Sequence, residues 1–406
     1  MPAAVCEIII DFLELILFFV GMYYVLSGVF AFVRKPDIPS VDKPPRRFAV
    51  IIPAHNEGAV ISQLLKSLKA QDYPGGLLDI FVAADNCTDN TAEIAAAHGA
   101  KVISPRGKSR GKAEAIRFAI EHIQAIYGGI DKAYDCIAVF DADNVLKPDC
   151  ISKMNDMLNC GYGAVQCRVE AKNPHDNWLT AAYSFWNRLE TRFGKMGSHN
   201  LGIGCKLSGT GFAVDTAVLS ECPWNCSSIA EDLEYTMELC LIGIKPGFAS
   251  KAIVYDEKPS GFKTSVMQRL RWAQGIVNVQ GNYGKTLLKR GKLTLWLSLY
   301  GDFLGPFTYA ALLVLSVFSG LSIMHGYDIM LCRFWVNPVT YAALNIYLLL
   351  GALCAFAGFV IDKDLTGHTV LGLFGFIVYI VTWIPIGIFG IIRRNKKEWY
   401  HTEHTG

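Results

Sequence analysis

Apolar positions follow two regimes along the 406 residues. Leu15–Val33, Phe303–Met324, Phe334–Ile361 and Thr369–Ile392 carry no charge at all. At about 1.5 Å per residue each run matches a hydrocarbon core of about 30 Å, which predicts four spanning helices. From Phe48 to about Ser260 short apolar runs alternate instead with stretches of helical periodicity. Strands are predicted over Phe48–Pro53, Asp79–Ala84, Lys101–Ser104, Cys136–Phe140 and Ala164–Val169, and helices over Val60–Ala70, Thr91–His98 and Lys112–Tyr127. The rhythm is that of an α/β domain, a mostly parallel sheet with helices on both faces.

The chain divides at 1–34 (N-terminal span), 35–47 (linker), 48–261 (α/β domain), 262–302 (interfacial helices) and 303–406 (three further spans and a short tail). Arg34, Lys35, Lys43, Arg46 and Arg47 stand among four prolines in the linker, which the positive-inside tendency keeps cytosolic. The N-terminus is then outside, and four spans put the C-terminus outside too. Arg393, Arg394, Lys396 and Lys397 argue for the opposite side, so the two readings conflict. Two aromatic amphipathic stretches read as helices at the membrane surface: Trp178–Phe193, with Trp178, Ala182, Phe185, Leu189 and Phe193 at helical spacing, and Val266–Leu288; the first reads equally as an ordinary amphipathic helix packed on the soluble core. Leu293–Tyr300 is too short to span and is expected to be interfacial or re-entrant, separated from the next helix by Asp302 and Pro306.

Composition agrees with the pattern. The chain is 52% hydrophobic and 18% charged with mean hydropathy +0.29, too apolar for an ordinary soluble protein. A net charge of +2 excludes a strongly basic nucleic-acid binder. Twelve cysteines include no CxxC pair, so no zinc site is indicated and reduced thiols are expected.

Ligands of open α/β sheets bind beyond the carboxyl ends of the strands, and here those ends are acidic. Pro53-Ala54-His55-Asn56-Glu57 follows the first strand, Asp85-Asn86-Cys87-Thr88-Asp89 the second and Asp141-Ala142-Asp143 the fourth. No GxGxxG follows the first strand, and Gly107-Lys108-Ser109 lacks the upstream glycine of a phosphate loop, since Val102 stands there. Asp141 and Asp143 can present oxygens to one hard divalent cation, or form a simple turn. Gln268, Arg271 and Trp272 share one helical face, as a phosphate and sugar grip or as an interfacial anchor. Glu231-Asp232 opens another helical pattern.

Taken in order with Arg110-Gly111-Lys112, Gly209-Thr210-Gly211 and Gln268-Arg269-Leu270-Arg271-Trp272, these motifs resemble the membrane-bound branch of glycosyltransferase family 2. That branch includes cellulose, hyaluronan, chitin-oligosaccharide and poly-N-acetylglucosamine synthases. The resemblance covers about Phe48 to Gly275, and QxxRW is its most specific mark. It implies a cytosolic, nucleotide-sugar-binding domain of GT-A type in an integral membrane protein. Pro53, Ala54, Glu57 and Asp85 would hold uracil and ribose, and Lys112 the diphosphate. Asp141 and Asp143 would hold the diphosphate with a Mg or Mn ion, and Gln268 and Arg271 would grip it from the other side. Asp232 would be the general base. Trp272 would stack on the acceptor sugar, and Gly209, Thr210 and Gly211 would shape the acceptor pocket.

The implied partners are a UDP-sugar donor, a sugar or glycolipid acceptor and membrane lipid, with no nucleic acid. The implied reaction is inverting transfer onto a growing β-linked polysaccharide; the alternative is transfer of one sugar to a membrane lipid carrier. Ser208-Gly209-Thr210-Gly211 stands where cellulose synthases carry Phe-Phe-Cys-Gly-Ser, and their gating loop is not visible. With fewer spans than a cellulose synthase, a translocation channel would need a second copy or an export partner.

Overall fold

The computed structural model describes residues 28–33, 43–105, 111–326, 333–362 and 367–394, with five isolated positions nearer the N-terminus. Most of the expected span over Leu15–Val33, linker residues Arg34 and Lys35, Gly107 to Arg110, and Lys396 and Lys397 lie outside the described residues.

Eight strands form one sheet: β1 (Phe48–Ala54), β2 (Leu78–Ala84), β3 (Lys101–Ile103), β4 (Cys136–Val139), β5 (Val145–Leu146), β6 (Ala164–Ala171), β7 (Phe212–Asp215) and β8 (Gly247–Asp256). Their order is β3-β2-β1-β4-β7-β6-β8-β5. β1 pairs in parallel with β2 and β4, β2 with β3, and β6 with β8. β7 is antiparallel to both β4 and β6, and β5 to β8. β6 and β8 therefore run the same way as β4, and their carboxyl ends share its edge. The five expected strands are present with ends moved by one or two residues. β5, β7 and β8 are additions to the sequence reading.

Burial on both faces explains the composition of β1, whose Phe48, Val50 and Ile52 pack on one side and Ala49 and Ile51 on the other. The first side is covered by α1 (Ile61–Lys69) through Ile61, Leu64, Leu65 and Leu68 and by α4 (Cys150–Asn159), while α2 (Thr91–Ala97) stands beside α1. The second is covered by α3 (Lys112–Tyr127) through Ile116, Ala119 and Ile123. Each fully buried Ile or Leu contributes about 1.5–3 kcal/mol, so this sandwich fixes the strand ends firmly.

α5 (Trp178–Leu189) starts at a capping box: Asn177 Oδ1 accepts from the Leu179 and Thr180 amides at 2.9 and 3.1 Å, and the Thr180 hydroxyl accepts from the Asn177 amide at 3.1 Å. It continues beyond Phe193 as a π-helix over Glu190–Met196. After α6 (Glu231–Leu241) come α7 (Phe262–Lys289), α8 (Leu293–His325), α9 (Pro338–Ile361), α10 (Gly367–Val381) and α11 (Trp383–Ile392).

α8 corrects the expectation for Leu293–Tyr300. That segment is not a separate interfacial or re-entrant piece, because one 33-residue helix runs through Asp302 and Pro306. A proline forfeits one backbone bond, and apolar surroundings penalise a wider break more than that. The last apolar run breaks at Thr382, one turn before Pro385, which has no amide proton for the Val381 carbonyl. α10 lies against α5 with Gly372 and Gly375 at the contact. A Cβ there would stand 2.7 and 2.6 Å from the Ala181 and Trp178 carbonyl oxygens, so only glycine allows this approach.

Candidate active site

The shared strand edge opens into a cavity of about 1380 Å³, walled on the far side by α5, α7 and the apolar helices. Its lining includes Pro53, Ala54, Glu57, Asp85, Lys112, Asp141, Asp143, Gly209, Thr210, Asp232, Gln268, Arg271 and Trp272. All the candidate residues but Gly211 thus meet around one space, although their chain positions span more than half the molecule. Gly211 lies behind the wall at φ +69°, where a Cβ would collide with the Cys167 sulfur. Its position serves the turn rather than the cavity surface.

At the end of the cavity beyond β1 and β2, Asn56 and Asn86 hold left-handed φ of 56° and 49°. Asn tolerates this region better than most residues, and the two turns bring the loops together. His55 Nδ1 is 2.6 Å from the Asp85 carbonyl oxygen, and the Glu57 amide donates to Thr91 Oγ1 at 2.8 Å.

Asp141, Asp143 and Asp256 bring carboxylate oxygens within 4.8 Å of one another. Asn144 Nδ2 aligns two of them, donating to Asp143 Oδ1 at 3.0 Å and Asp256 Oδ1 at 2.9 Å. The Asp141 amide is held by Thr210 Oγ1 at 3.0 Å and Asn144 Oδ1 at 3.2 Å. Three oxygen donors of this kind suit a hard divalent cation such as Mg or Mn. Among the described residues the charge count points the same way: ten carboxylates line the cavity (Glu57, Asp85, Glu114, Asp141, Asp143, Glu190, Glu231, Asp232, Asp256 and Glu257) against four cations (Lys112, Lys206, Lys258 and Arg271). A cation entering with an anionic ligand would offset this excess of negative charge.

Asp256 was missed by the sequence reading together with its strand. As the last residue of β8 it obeys the strand-end rule, and recognising β8 would have found it. Lys258 Nζ donates to its second oxygen at 2.5 Å.

Lys112 forms an ion pair with Asp141, lies 3.9 Å from Glu231 and donates to the Gly209 carbonyl at 2.7 Å. Burial alone would depress its pKa, but the charges of Asp141 and Glu231 outweigh burial and raise it, so it stays protonated. Burial pushes the neighbouring Glu231 carboxyl up to about 7, with Lys112 opposing the rise and Asp232 adding to it. Burial raises Asp232 as well, against the Leu233 amide at 2.8 Å and the charge of Lys112. A Cβ on Gly209 would come within 3.9 Å of Asp232 Oδ2 and 3.2 Å of Lys112 Nζ, so the missing side chain leaves room beside the carboxylate. Buried Gln166 shapes this turn, donating to the Thr210 and Gly211 carbonyls at 2.9 and 3.1 Å and accepting from the Ser208 amide at 2.7 Å. Buried Lys195, from the π-helix, donates to the Ser208 hydroxyl.

On the opposite wall, the Tyr183 hydroxyl donates to Gln268 Oε1 at 3.3 Å, and its ring meets Trp272 edge-on at 6.3 Å. α5 thereby orients two of the three side chains that α7 presents. A protein-family model described as "Glycosyltransferase like family 2" matches residues 44–275.

The chain belongs to this family. It is 24% identical over 386 residues to the probable glycosyltransferase YdaM of Bacillus subtilis, covering 88% of this chain and 86% of that protein. It is 28% identical over 252 residues to the beta-monoglucosyldiacylglycerol synthase of Nostoc sp., covering 59% of this chain and 51% of that protein, and so spans only about half of it. Among solved structures it is similar to mannosyltransferase PcManGT of Pyrobaculum calidifontis in complex with GDP-Man and Mn2+, with TM-score 0.55 and 16% identity over 95% of this chain and 99% of that one. That likeness shows the α/β fold of GT-A type. This family-2 glycosyltransferase also has two helices long and apolar enough to cross a membrane among the described residues, Pro338–Ile361 and Val370–Ile392.

Proposed function

We propose that this glycosyltransferase transfers a sugar from a UDP-sugar, with inversion, onto a hydroxyl presented at the cytosolic face of a membrane. The observation that carries the reading is the single cavity in which Asp232, the Asp141–Asp143–Asp256 trio and the Gln268–Arg271–Trp272 face meet beside apolar helices. A hydroxyl is a poor nucleophile near neutral pH, and Asp232, open on the Gly209 side, takes its proton as attack proceeds. Lys112 and Arg271 hold the diphosphate from opposite walls and stabilise its growing charge. Asp141, Asp143 and Asp256 would hold Mg or Mn, which when bound offsets charge on the leaving diphosphate. Pro53, Ala54, Glu57 and Asp85 bind the nucleoside, and Gly209, Thr210 and Trp272 border the acceptor side. One displacement on an α-linked donor yields a β linkage.

We place the chain in the membrane through its N-terminal apolar run, α8 and α9. Val370–Ile392 passes the same length test, yet 44% of its apolar window is buried inside the protein against 22% for Pro338–Ile361. It rests on α5 through α10 and on α7 through α11, and Gln274, two residues beyond Trp272, donates to the Arg393 carbonyl at 3.2 Å. That contact supports a C-terminal end level with the catalytic helix. Three crossings put Arg393 and Arg394 on the cytosolic side, which removes the conflict in the sequence reading.

The test is incubation of purified protein with a panel of UDP-sugars, with and without EDTA, measuring UDP release and product size. Release that requires Mg or Mn is expected; full release in excess EDTA would refute the metal assignment, and none with any donor would refute the donor class.

A further inference from the structure

The cavity continues past Trp272 as an apolar limb between α9 and α10. These helices are consecutive, yet they share almost no backbone contact, and each packs on α8 instead. The cleft between them is floored by Phe185 of α5, whose ring lies 4.8 Å from Phe359 of α9 and 5.1 Å from Phe376 of α10. On the α9 side Gly351 and Ala355 face the limb one turn apart, and on the α10 side Leu373 and Ile377 do the same. The α9 wall is thus small at Gly351 and Ala355, between the rings of Tyr347 and Phe359 that also line the cavity, leaving a groove there rather than a closed seam.

Its side is open. Phe356, Leu373 and Ile377 line the cavity and are nevertheless 56%, 46% and 43% exposed. Among the described residues of α9, α10 and α11 the lining contains no charged or amide side chain. A sugar chain threaded here would lose water from its hydroxyls and find almost no partners, whereas a hydrocarbon chain loses nothing. The volume agrees, because about 1380 Å³ exceeds the several hundred Å³ of an ordinary small-molecule site and accommodates a second substrate beside the donor.

We propose that this limb is the acyl-chain groove of a lipid acceptor, which enters sideways between α9 and α10 and offers its headgroup hydroxyl to Asp232. The inference rests on the transferase reading above and names the acceptor class for the same site. It favours the single-sugar lipid product over the growing polysaccharide. The groove joins the catalytic cavity without a partition, and its open side lies between helices placed in or against the bilayer, so the occupant comes from the bilayer.

The experiment uses the full chain in phosphatidylcholine vesicles containing a diacylglycerol probe with a mid-chain diazirine. Irradiation followed by peptide mapping should place adducts on Gly351 to Phe356 or on Leu373 and Ile377. Ala355→Trp, which fills the small wall, should cut those adducts about tenfold, the order expected of overpacking, with UDP affinity by calorimetry reporting that the donor end remains folded. Phe374→Ala, on the outward face of α10, should leave them unchanged. Adducts confined to outward residues such as Leu349 and Phe374, or labelling that Ala355→Trp does not reduce, overturn the inference. So does a water-soluble polymer as the sole product from labelled UDP-sugars in lipid-extract vesicles. UDP release by the wild type is read separately: it persists if only the groove is wrong and is missing if the transferase reading itself fails.

Discussion

Arg269 donates through Nη1 to the backbone carbonyl of Tyr379 at 3.0 Å, from a side chain with no exposed surface. The same nitrogen reaches Thr382 Oγ1 at 2.7 Å, and the guanidinium lies 4.3 Å from the centre of the Tyr379 ring. The helix presenting Gln268, Arg271 and Trp272 is therefore fastened where the last apolar run breaks, just where carbonyls lose their helical partners.

Arg269→Met is expected to destabilise the protein by about 1–3 kcal/mol, because both oxygens lose a charged donor and only the bond from the Thr382 hydroxyl to the Tyr379 carbonyl, at 2.7 Å, remains between them. Turnover should also fall, since a small misplacement of reacting groups is costly. Arg269→Lys should rescue little, as an ammonium cannot stack and reach both oxygens. Thermal unfolding together with kcat and KM for the donor checks this, and a variant with wild-type values in both would remove Arg269 from any positioning role.

Asp256→Ala should weaken donor binding in the presence of Mg or Mn by roughly 10- to 100-fold, at least the loss typical of a supporting partner at a metal site. Asn144→Ala should give a smaller loss in the same direction, because Asp143 and Asp256 lose their shared donor. Calorimetric titration with UDP, with and without the cation, separates this from general damage. The cation-free affinity should change little, and an equal drop in both conditions would count against a metal role for Asp256.

How much of this was legible in the sequence follows from which signals are local. α3 was read to the residue because Lys112–Tyr127 keeps one helical period between glycines. β7 and β8 were not: β7 is four residues following a glycine turn, and β8 is interrupted by a register shift around the exposed Lys251, where Cys167 and Arg168 of β6 pair with Ala249 and Ile253. The strand-end rule located Asp85, Asp141 and Asp143, and it missed Asp256 only because its strand was missed. Arg269 stood inside a recognised motif, but nothing local distinguishes a buried arginine facing another helix from an exposed one. The break proposed at Pro306 failed because proline's local cost was weighed without the 33-residue helix around it.

A tag placed after Arg394 should be accessible only from the side that exposes the catalytic domain. The expectation rests on Gln274 holding the Arg393 carbonyl and on α10 and α11 lying along α5 and α7. Protease protection in sealed vesicles of known orientation reads it directly. A protected tag beside an exposed catalytic domain would restore a fourth crossing.

The two buried carboxylates at the start of α6 allow the base to be identified by pH. Glu231 is pushed up to about 7 and Asp232 is raised above the ordinary aspartate range, both chiefly by burial. A base works deprotonated, and a raised pKa means that the proton leaves only at higher pH. The acid limb of kcat/KM should therefore lie above the value of about 3.9 for a free aspartate, with activity climbing as pH rises through it. Asp232→Asn should keep UDP binding and lower turnover by about 10²- to 10⁴-fold, abolishing that limb. Glu231→Gln removes a negative charge beside Asp232, so the limb should move to lower pH while turnover at its plateau survives. Should the Asn variant retain more than about a tenth of the wild-type rate with its limb unmoved, Asp232 would be a helix-start residue and Glu231, 3.9 Å from Lys112, would take over as the base.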